Sequence, residues 1–194
     1  MPQVFEISEV EKGHTITMEY IDAVCLEDAW PDLSSEQRTA IAREVRDVVT
    51  TMRQYSDNSI SGCEGPLHLC RTYTSSIGEP FQSDLTFNDF AYDYVKTVLR
   101  DIRKYLTERL PTDSRFVFTH GDLSPRNISI KEDRLYAIVN MEYSGWYPEY
   151  WEYVKFSECV TGCEGWKDLA DVIFDTTYPT QLLITQASLR WQRP

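Results

Sequence analysis

The sequence is poor in positive charge and has no long apolar run. Its 194 residues include 19 Lys and Arg against 31 Asp and Glu, which gives a formal net charge of −12. Proteins that bind nucleic acids or anionic membranes rely on clustered cations, so we expect neither partner. Because no apolar run reaches the ~18 residues of a transmembrane helix, the sequence predicts no membrane span.

Two further absences bear on compartment and metal. The start reaches Glu6 and Glu9 before any basic residue or long apolar stretch, so it lacks the order of a secretory signal and predicts a cytoplasmic protein. The cysteines are odd in number and lack the spacing of a structural zinc site, so we expect reduced thiols. These cysteines are Cys25, Cys63, Cys70, Cys159 and Cys163.

Apolar periodicity divides the first half of the chain into a strand pair and two helices. Residues 4–10 and 14–20 alternate with period two and predict a β-hairpin. Ser34 and Gln37 form a capping box before a helix of about five turns. Residues 56–83 are rich in glycine, proline and hydroxyl groups and predict a long loop. Apolar residues at helical spacing over residues 87–106 then predict a second long helix.

The second half alternates short strands with helices. Residues 115–119 predict a strand, and the apolar runs at 128–130 and 135–139 predict a second hairpin. Helical segments are expected at residues 149–159, 165–174 and 179–191. At roughly 150 residues per domain the length predicts one domain with at most a small appendage. The expected fold class is α+β, mostly helical with a small β-hairpin in the middle.

The segment between two of these predicted strands carries the clearest chemistry. It runs Phe118-Thr119-His120-Gly121-Asp122-Leu123-Ser124-Pro125-Arg126-Asn127. Asp122 and Asn127 are five residues apart, the spacing that kinase catalytic loops use to place a carboxylate beside an acceptor hydroxyl and a carboxamide on a metal. The preceding His-Gly, the internal Pro-Arg and the flanking strands strengthen this hypothesis.

With these residues the chain resembles the aminoglycoside phosphotransferase and choline kinase family, a fungal-type member of the protein-kinase-like superfamily. Residues 18–21 are similar to the hinge, 26–30 to the segment after the hinge, 120–127 to the catalytic loop and 145–153 to the segment after the metal site. The resemblance spans about residues 4–156. It implies a kinase-like C-lobe over residues 23–194, with residues 1–22 as a remnant hairpin of the N-lobe plus the hinge.

The resemblance also implies residue roles. Asp122 would orient or deprotonate a substrate hydroxyl, Asn127 would help to hold Mg²⁺, and His120 would brace the loop. Residues 18–21 would present backbone groups to an adenine. Each of these residues also has a structural alternative. Asp122 could cap its own loop, His120 could simply bond the backbone, and Asn127 could fix the turn.

Two departures from the family pattern argue against ordinary phosphotransfer. The second metal ligand of the family is an aspartate, but Asn140 stands here, and a neutral carboxamide should hold Mg²⁺ only weakly. The phosphate-covering glycine loop and the phosphate-binding lysine would lie before the region where this chain begins; Lys12, in a predicted turn, is the sole lysine before Lys96. We therefore expect no cofactor, with Mg-ATP required only if phosphotransfer survives.

Further candidate site residues follow the loop. Glu142 could point into the same cleft as Asp122 and form a second carboxylate for acid/base chemistry. Trp146, Tyr147 and Tyr150 are candidates for substrate binding because large amphipathic rings line recognition surfaces, although aromatic runs more often belong to a core. Asn127 and Asn140 would then contact substrate in place of metal.

Three functions remain open from the sequence. The first is a repurposed enzyme that converts a small organic molecule, of the kind used in biosynthesis, by Asp-based acid/base chemistry without ATP. The second is a non-catalytic pseudokinase that binds a ligand or partner, and the third is a weak Mg-ATP-dependent phosphotransferase acting on a small hydroxylated substrate. In each case a small molecule is the expected ligand, and a second copy or a partner chain is expected to cover the exposed N-lobe side.

Overall fold

The computed structural model describes residues 3–10, 13–62, 80–91 and 100–191. Within those ranges, no helix combines the length and apolar character needed to cross a membrane. The architecture is mixed: a hairpin at the start, two small antiparallel sheets and a set of helices packed around one core. This agrees with the α+β class expected from the sequence.

The first hairpin forms as predicted. Strands β1 (Val4–Val10) and β2 (Gly13–Met18) pair antiparallel, with Ile7 opposite Ile16 and a register shift near the start of β1. The second strand ends at Met18, two residues earlier than its apolar alternation predicts. Both strands are almost wholly exposed; Phe5 is 62% and Ile7 65% accessible. A two-stranded sheet of this kind is marginally stable by itself.

A short strand and two helices follow the hairpin. Strand β3 (Val24–Cys25) leads into helix α1 (Leu26–Ala29) and then into α2 (Ser35–Met52). The predicted capping box is present, because the backbone N–H of Gln37 donates to Ser34 Oγ at 3.2 Å and that of Ser34 donates to Gln37 Oε1 at 2.7 Å. The apolar face of α2 enters the core through Ile41, Ala42, Val45 and Val49.

The loop predicted for residues 56–83 is partly wrong. Strands β4 (Ser56–Asp57) and β5 (Ser61–Gly62) form within it, and Ile60 bridges Phe81. Residues 63–79 lie outside the described part of the chain. The segments missed are two residues long and contain no apolar alternation, so they gain strand geometry only from distant partners.

Two sheets bring distant parts of the chain together. One has the order β4-β6-β9-β5, with β6 at Phe116–Thr119 and β9 at Gly145–Pro148. The other has the order β3-β7-β8, with β7 at Ile128–Lys131 and β8 at Arg134–Ile138. The predicted strand at 115–119 and the predicted second hairpin are therefore confirmed, whereas β9 occupies a segment for which the sequence predicts no strand.

The remaining helices complete the core. Helices α3 (Asp84–Ala91) and α4 (Arg100–Thr107) overlap the two ends of the helix predicted over residues 87–106, whose middle lies outside the described residues; α3 begins three residues earlier than predicted and α4 ends one residue later. Helices α5 (Trp151–Glu158), α6 (Ala170–Ile173) and α7 (Pro179–Trp191) match the three later helical predictions. Trp151 of α5 stacks on Tyr147 and meets Phe87 edge-on at 5.2 Å.

Candidate functional site

The polar loop predicted to carry chemistry connects β6 to β7 and lies between the two sheets. His120 at its start is fully buried. Its Nδ1 accepts from the backbone N–H of Asp122 at 3.2 Å, and its Nε2 is 3.0 Å from the backbone oxygen of Val139. The ring therefore joins the loop to the end of β8. Contacts of this kind are those that a bracing role would use.

The Asp122 carboxylate is the centre of a tight polar cluster. Arg126 Nη2 donates to both of its oxygens at 2.8 Å, and Asn127 Nδ2 donates to Oδ2 at 2.9 Å. A turn of 3-10 helix, Pro125–Asn127, sets the positions of both donors. The Asp122 side chain is only 12% exposed. The carboxylate is thus held in one orientation with its outer edge near the surface.

Two carboxamides lie next to this carboxylate. Asn140 Nδ2 donates to Asn127 Oδ1 at 3.3 Å, and the backbone N–H of Val139 donates to the backbone oxygen of Asn127 at 2.9 Å. Asn140 adopts a left-handed backbone with φ of 67°, a conformation that Asn tolerates better than most residues. The structure therefore brings together Asp122, Asn127 and Asn140.

A buried carboxylate, that of Glu152, holds the loop backbone by hydrogen bonds. Glu152, in the first turn of α5, accepts the backbone N–H groups of His120 at 2.5 Å and of Gly121 at 3.2 Å. It is 3% exposed. Burial raises the pKa of Glu152 above its ordinary value of 4.5, although the His120 ring and the two backbone donors act in the opposite direction. Glu152 fixes the loop backbone and does not face the site surface.

The residues present do not fit a resident Mg²⁺. The family positions for this ion hold two neutral carboxamides, and the carbonyl oxygen of Asn127 is already used by Asn140. The nearby carboxylate of Asp122 is neutralised by Arg126. Mg²⁺ is a hard cation that proteins hold mainly through carboxylates and substrate phosphates. Among the described residues, no group of three or more His, Cys, Asp or Glu side chains is arranged to hold a metal.

This donor set gives a direct prediction for Asn140→Asp. The substitution replaces an N–H donor with a second carboxylate and keeps the side-chain size, so Mg²⁺ affinity is expected to rise at least about tenfold. Calorimetric titration with MgCl₂ measures it, and Asn58→Asp adds the same charge at an exposed turn as the matched control. Unchanged affinity in Asn140→Asp would show that residue 140 does not belong to the metal position.

The other predicted site residues take no part in the hydrogen bonds described for this cluster. Glu142 is exposed on the 3-10 turn Met141–Tyr143, and no hydrogen bond joins it to Asp122 in the described structure. Tyr147 and Tyr150 are each 1% exposed, so they belong to the core and not to the site surface. Trp146 is half-buried, and its ring meets Phe118 edge-on at 5.5 Å.

An apolar cavity is lined in part by Met141, the residue that follows Asn140 in the sequence, and by none of the residues of the polar cluster. It has a volume of about 550 Å³ and lies between α2 and β8, with Met141 and Trp146 among its walls. The rings of Tyr55 and Tyr136 line its rim and are 65% and 51% exposed. Its size and lining are typical of sites for small organic molecules. Of the predicted aromatic contacts, Trp146 alone lines this cavity.

Sequence reasoning missed two contributors to the site. The sequence presents Arg126 only as part of the loop motif and gives no sign that it is the ion-pair partner of Asp122. Glu152 stands between Trp151 and Tyr153, in a run of large apolar residues. A lone acid in such a run is a signal for a buried carboxylate with dedicated donors, because an unpaired buried charge is costly.

Comparison with known proteins places this geometry in a family. A model described as "Phosphotransferase enzyme family" matches residues 1–163. No protein with a curated description matches the chain.

Solved structures share the fold at low identity. The apo form of a thermostable mutant of aminoglycoside phosphotransferase APH(4)-Ia is 18% identical, with a TM-score of 0.62 over 100% of this chain and 68% of that chain. A ternary complex of a further variant of that thermostable mutant with ADP and hygromycin B is 17% identical, with a TM-score of 0.63 over 100% of this chain and 68% of that chain. The ADP-bound aminoglycoside phosphotransferase APH(2'')-Ib is 13% identical, with a TM-score of 0.56 over 97% of this chain and 62% of that chain. At these identities the likeness shows the fold.

Proposed function

Because the chain belongs to the phosphotransferase enzyme family, we propose that its loop retains the hydroxyl-directed chemistry of that fold but works without Mg-ATP. In this proposal Asp122 receives the hydroxyl of a small organic molecule and accepts or returns its proton. The observation that supports it is the closed carboxamide pair: Asn140 Nδ2 lies 3.3 Å from Asn127 Oδ1, so the metal position is satisfied by a hydrogen bond.

The contacts of Asp122 leave room for one further hydrogen-bond donor. Its carboxylate accepts three hydrogen bonds, from Arg126 and Asn127, and an ionised carboxylate offers about four lone-pair sites. One site therefore remains for a substrate hydroxyl. Because Asp122 is fixed by these donors, little reorganisation is needed when the hydroxyl arrives, which is the condition for efficient general-base catalysis.

The apolar cavity lined by Met141 and Trp146 supports an organic ligand with an apolar part. Among the residues that the structure describes, no charged side chain lines it, and its walls include Phe118, Met141 and Trp146. A ligand with a hydroxyl at Asp122 and a ring in this cavity would use both features. We therefore propose a small hydroxylated, aromatic-contacted substrate, of the kind expected in biosynthesis of organic metabolites.

Calorimetric titration with ATP, with and without Mg²⁺, tests the proposal directly. We expect no Mg²⁺-dependent binding in the micromolar range. Micromolar, Mg²⁺-dependent binding would refute the ATP-independent function and favour the second candidate, a weak phosphotransferase. That candidate is supported by the family membership and by the retained Asp122 and Asn127; the solved structures that share the fold include complexes with ADP.

Asp122→Asn separates catalysis from binding alone. The carboxamide keeps the shape of the carboxylate but cannot take a proton, so turnover is expected to fall by at least about 100-fold. The assay follows mass changes in a library of hydroxylated compounds incubated with each variant. Asp113→Asn, at an exposed turn, is the control. Equal turnover in both variants would contradict the catalytic role and favour a non-catalytic ligand-binding protein.

A further inference from the structure

The guanidinium group of Arg126 is fixed by contacts in two directions. Nη2 donates to both carboxylate oxygens of Asp122 at 2.8 Å, and Nη1 donates to the backbone oxygen of Val160 at 3.2 Å. The Asp122 contact is an ion pair between residues four apart, in which Nη2 alone meets both carboxylate oxygens. These contacts set the plane of the group before any ligand binds, so little side-chain entropy is left to lose.

Arg126 also has donor capacity to spare. A guanidinium carries five N–H groups, and in the described structure its hydrogen bonds go only to Asp122 and to the backbone of Val160. Its Nε is buried without a partner among the described residues, while the side chain as a whole is 34% exposed. An N–H of Nη1 is therefore available to an acceptor that approaches from solvent.

Arg126 is the group at this site that an anion would meet. Asn127 and Asn140 are neutral, and the carboxylate of Glu152 faces backbone donors beneath the loop. The protein carries a net charge of −12, so a free anion is repelled by most of its surface. Asp122 and Glu27 both act on the charge of the guanidinium, so what Arg126 offers an anion is the free N–H donor of Nη1 beside the carboxylate of Asp122 and not a net positive charge.

We propose that Arg126 is an oxyanion-binding residue and that the ligand of this site carries a carboxylate or phosphate a few bonds from its hydroxyl. The hydroxyl donates to Asp122 while the oxyanion accepts from Nη1 of Arg126. The ligand is then a hydroxy acid or a phosphate ester of a polyol. The hydroxyl contact rests on the proposed function, whereas the oxyanion contact requires only Arg126.

Titration of the full chain with inorganic phosphate and, separately, with acetate tests this inference without metal or nucleotide. We expect saturable binding of at least one ion in the millimolar range at low ionic strength. Arg126→Gln should weaken it at least about tenfold, and Arg126→Lys, which keeps the charge, should weaken it less. Stronger binding of phosphate would assign a phosphate ester, and stronger binding of acetate would assign a hydroxy acid.

The control is Arg109→Gln, since Arg109 covers the ring of Tyr105 and donates to that residue's backbone oxygen. It should bind both ions as the unaltered protein does. Asp122→Asn should tighten phosphate binding by about threefold or more, because the competing carboxylate is removed. Thermal melts check that each variant is folded, and Arg126→Lys keeps the test informative if the glutamine variant is not.

Two outcomes would overturn the inference. One is the absence of saturable binding of either ion by the unaltered protein. The other is a folded Arg126→Gln variant whose affinity equals that of Arg109→Gln. Neither outcome depends on ATP, so failure here is distinguishable from failure of the proposed function, which Mg²⁺-dependent ATP binding would reveal.

Discussion

Replacing Glu152 with alanine is expected to lower the free energy of unfolding by roughly 2–6 kcal/mol, because each buried N–H left without an acceptor costs about 1–3 kcal/mol. The two orphaned groups are the backbone N–H groups of His120 and Gly121. They precede Asp122 directly, so the variant should also lose activity in proportion to the disorder of the loop. Urea denaturation and turnover on the same preparation measure both effects.

Glu152→Gln and Glu108→Ala are the controls for that experiment. The glutamine keeps the shape and one acceptor oxygen but turns an NH₂ toward the other donor, so about half of the loss is expected. Glu108 forms an exposed pair with Lys104 at 3.7 Å, and its removal should cost less than about 1 kcal/mol. If Glu152→Ala unfolds no more easily than Glu108→Ala, the supporting role of Glu152 is refuted.

The same carboxyl predicts a pH dependence with a definite sign. Burial raises the pKa of Glu152 in the folded protein above its ordinary value of 4.5. At a pH between 4.5 and this raised pKa, the folded protein therefore binds more protons than the unfolded chain. Stability from this group is therefore present below about pH 4.5 and is lost as pH rises through the folded pKa. The stability advantage of the unaltered protein over Glu152→Gln should shrink as pH rises. An advantage that grows with pH would contradict the raised pKa.

Gly121→Ala is the second change for which we expect a large effect. Gly121 has φ of 80°, and a Cβ there would lie 2.5 Å from the backbone oxygen of Tyr143. The left-handed backbone alone costs a residue with a side chain about 1–2 kcal/mol, and the contact with backbone cannot be relieved by a rotamer change. We expect a loss of roughly 2–4 kcal/mol in stability together with displacement of Asp122.

Gly162→Ala is the matched control, because nothing lies within 4 Å of its added Cβ. A change there should stay within about 1 kcal/mol of the unaltered protein. Thermal unfolding of the three proteins gives the comparison. Equal melting temperatures for the two alanine variants would mean that the loop can shift away from Tyr143 without cost.

Much of the fold could be predicted because its signals are local. The hairpin at the start, the capped helix after Ser34 and the hairpin around β7 each carry their periodicity or cap within a few residues. Strands β4, β5 and β9 could not be predicted in this way. Each becomes a strand only by pairing with a segment far along the chain, as when Ser61 meets Trp146.

In the candidate site, too, the residues placed by local sequence spacing could be predicted, whereas the roles that depend on three-dimensional packing could not. Asp122 and Asn127 are fixed by their spacing in one loop, and Asn140 reaches them because β7 and β8 pair over a short turn. The roles of Arg126 and Glu152 depend on directions of side chains that spacing does not define. The aromatic residues Tyr147 and Tyr150 were ambiguous for the opposite reason, since their chemistry suits both a ligand pocket and the core in which they lie.

The left-handed backbone at Asn140 also bears on how this site can evolve. A φ of 67° restricts the position to residues that tolerate it, chiefly Gly, Asn and Asp. Asn and Asp differ by a single nucleotide in their codons and have nearly the same shape. A lineage can therefore exchange a neutral carboxamide for a carboxylate at this position, and reverse the exchange, without rebuilding the surrounding chain. The backbone conformation keeps both chemistries one mutation apart.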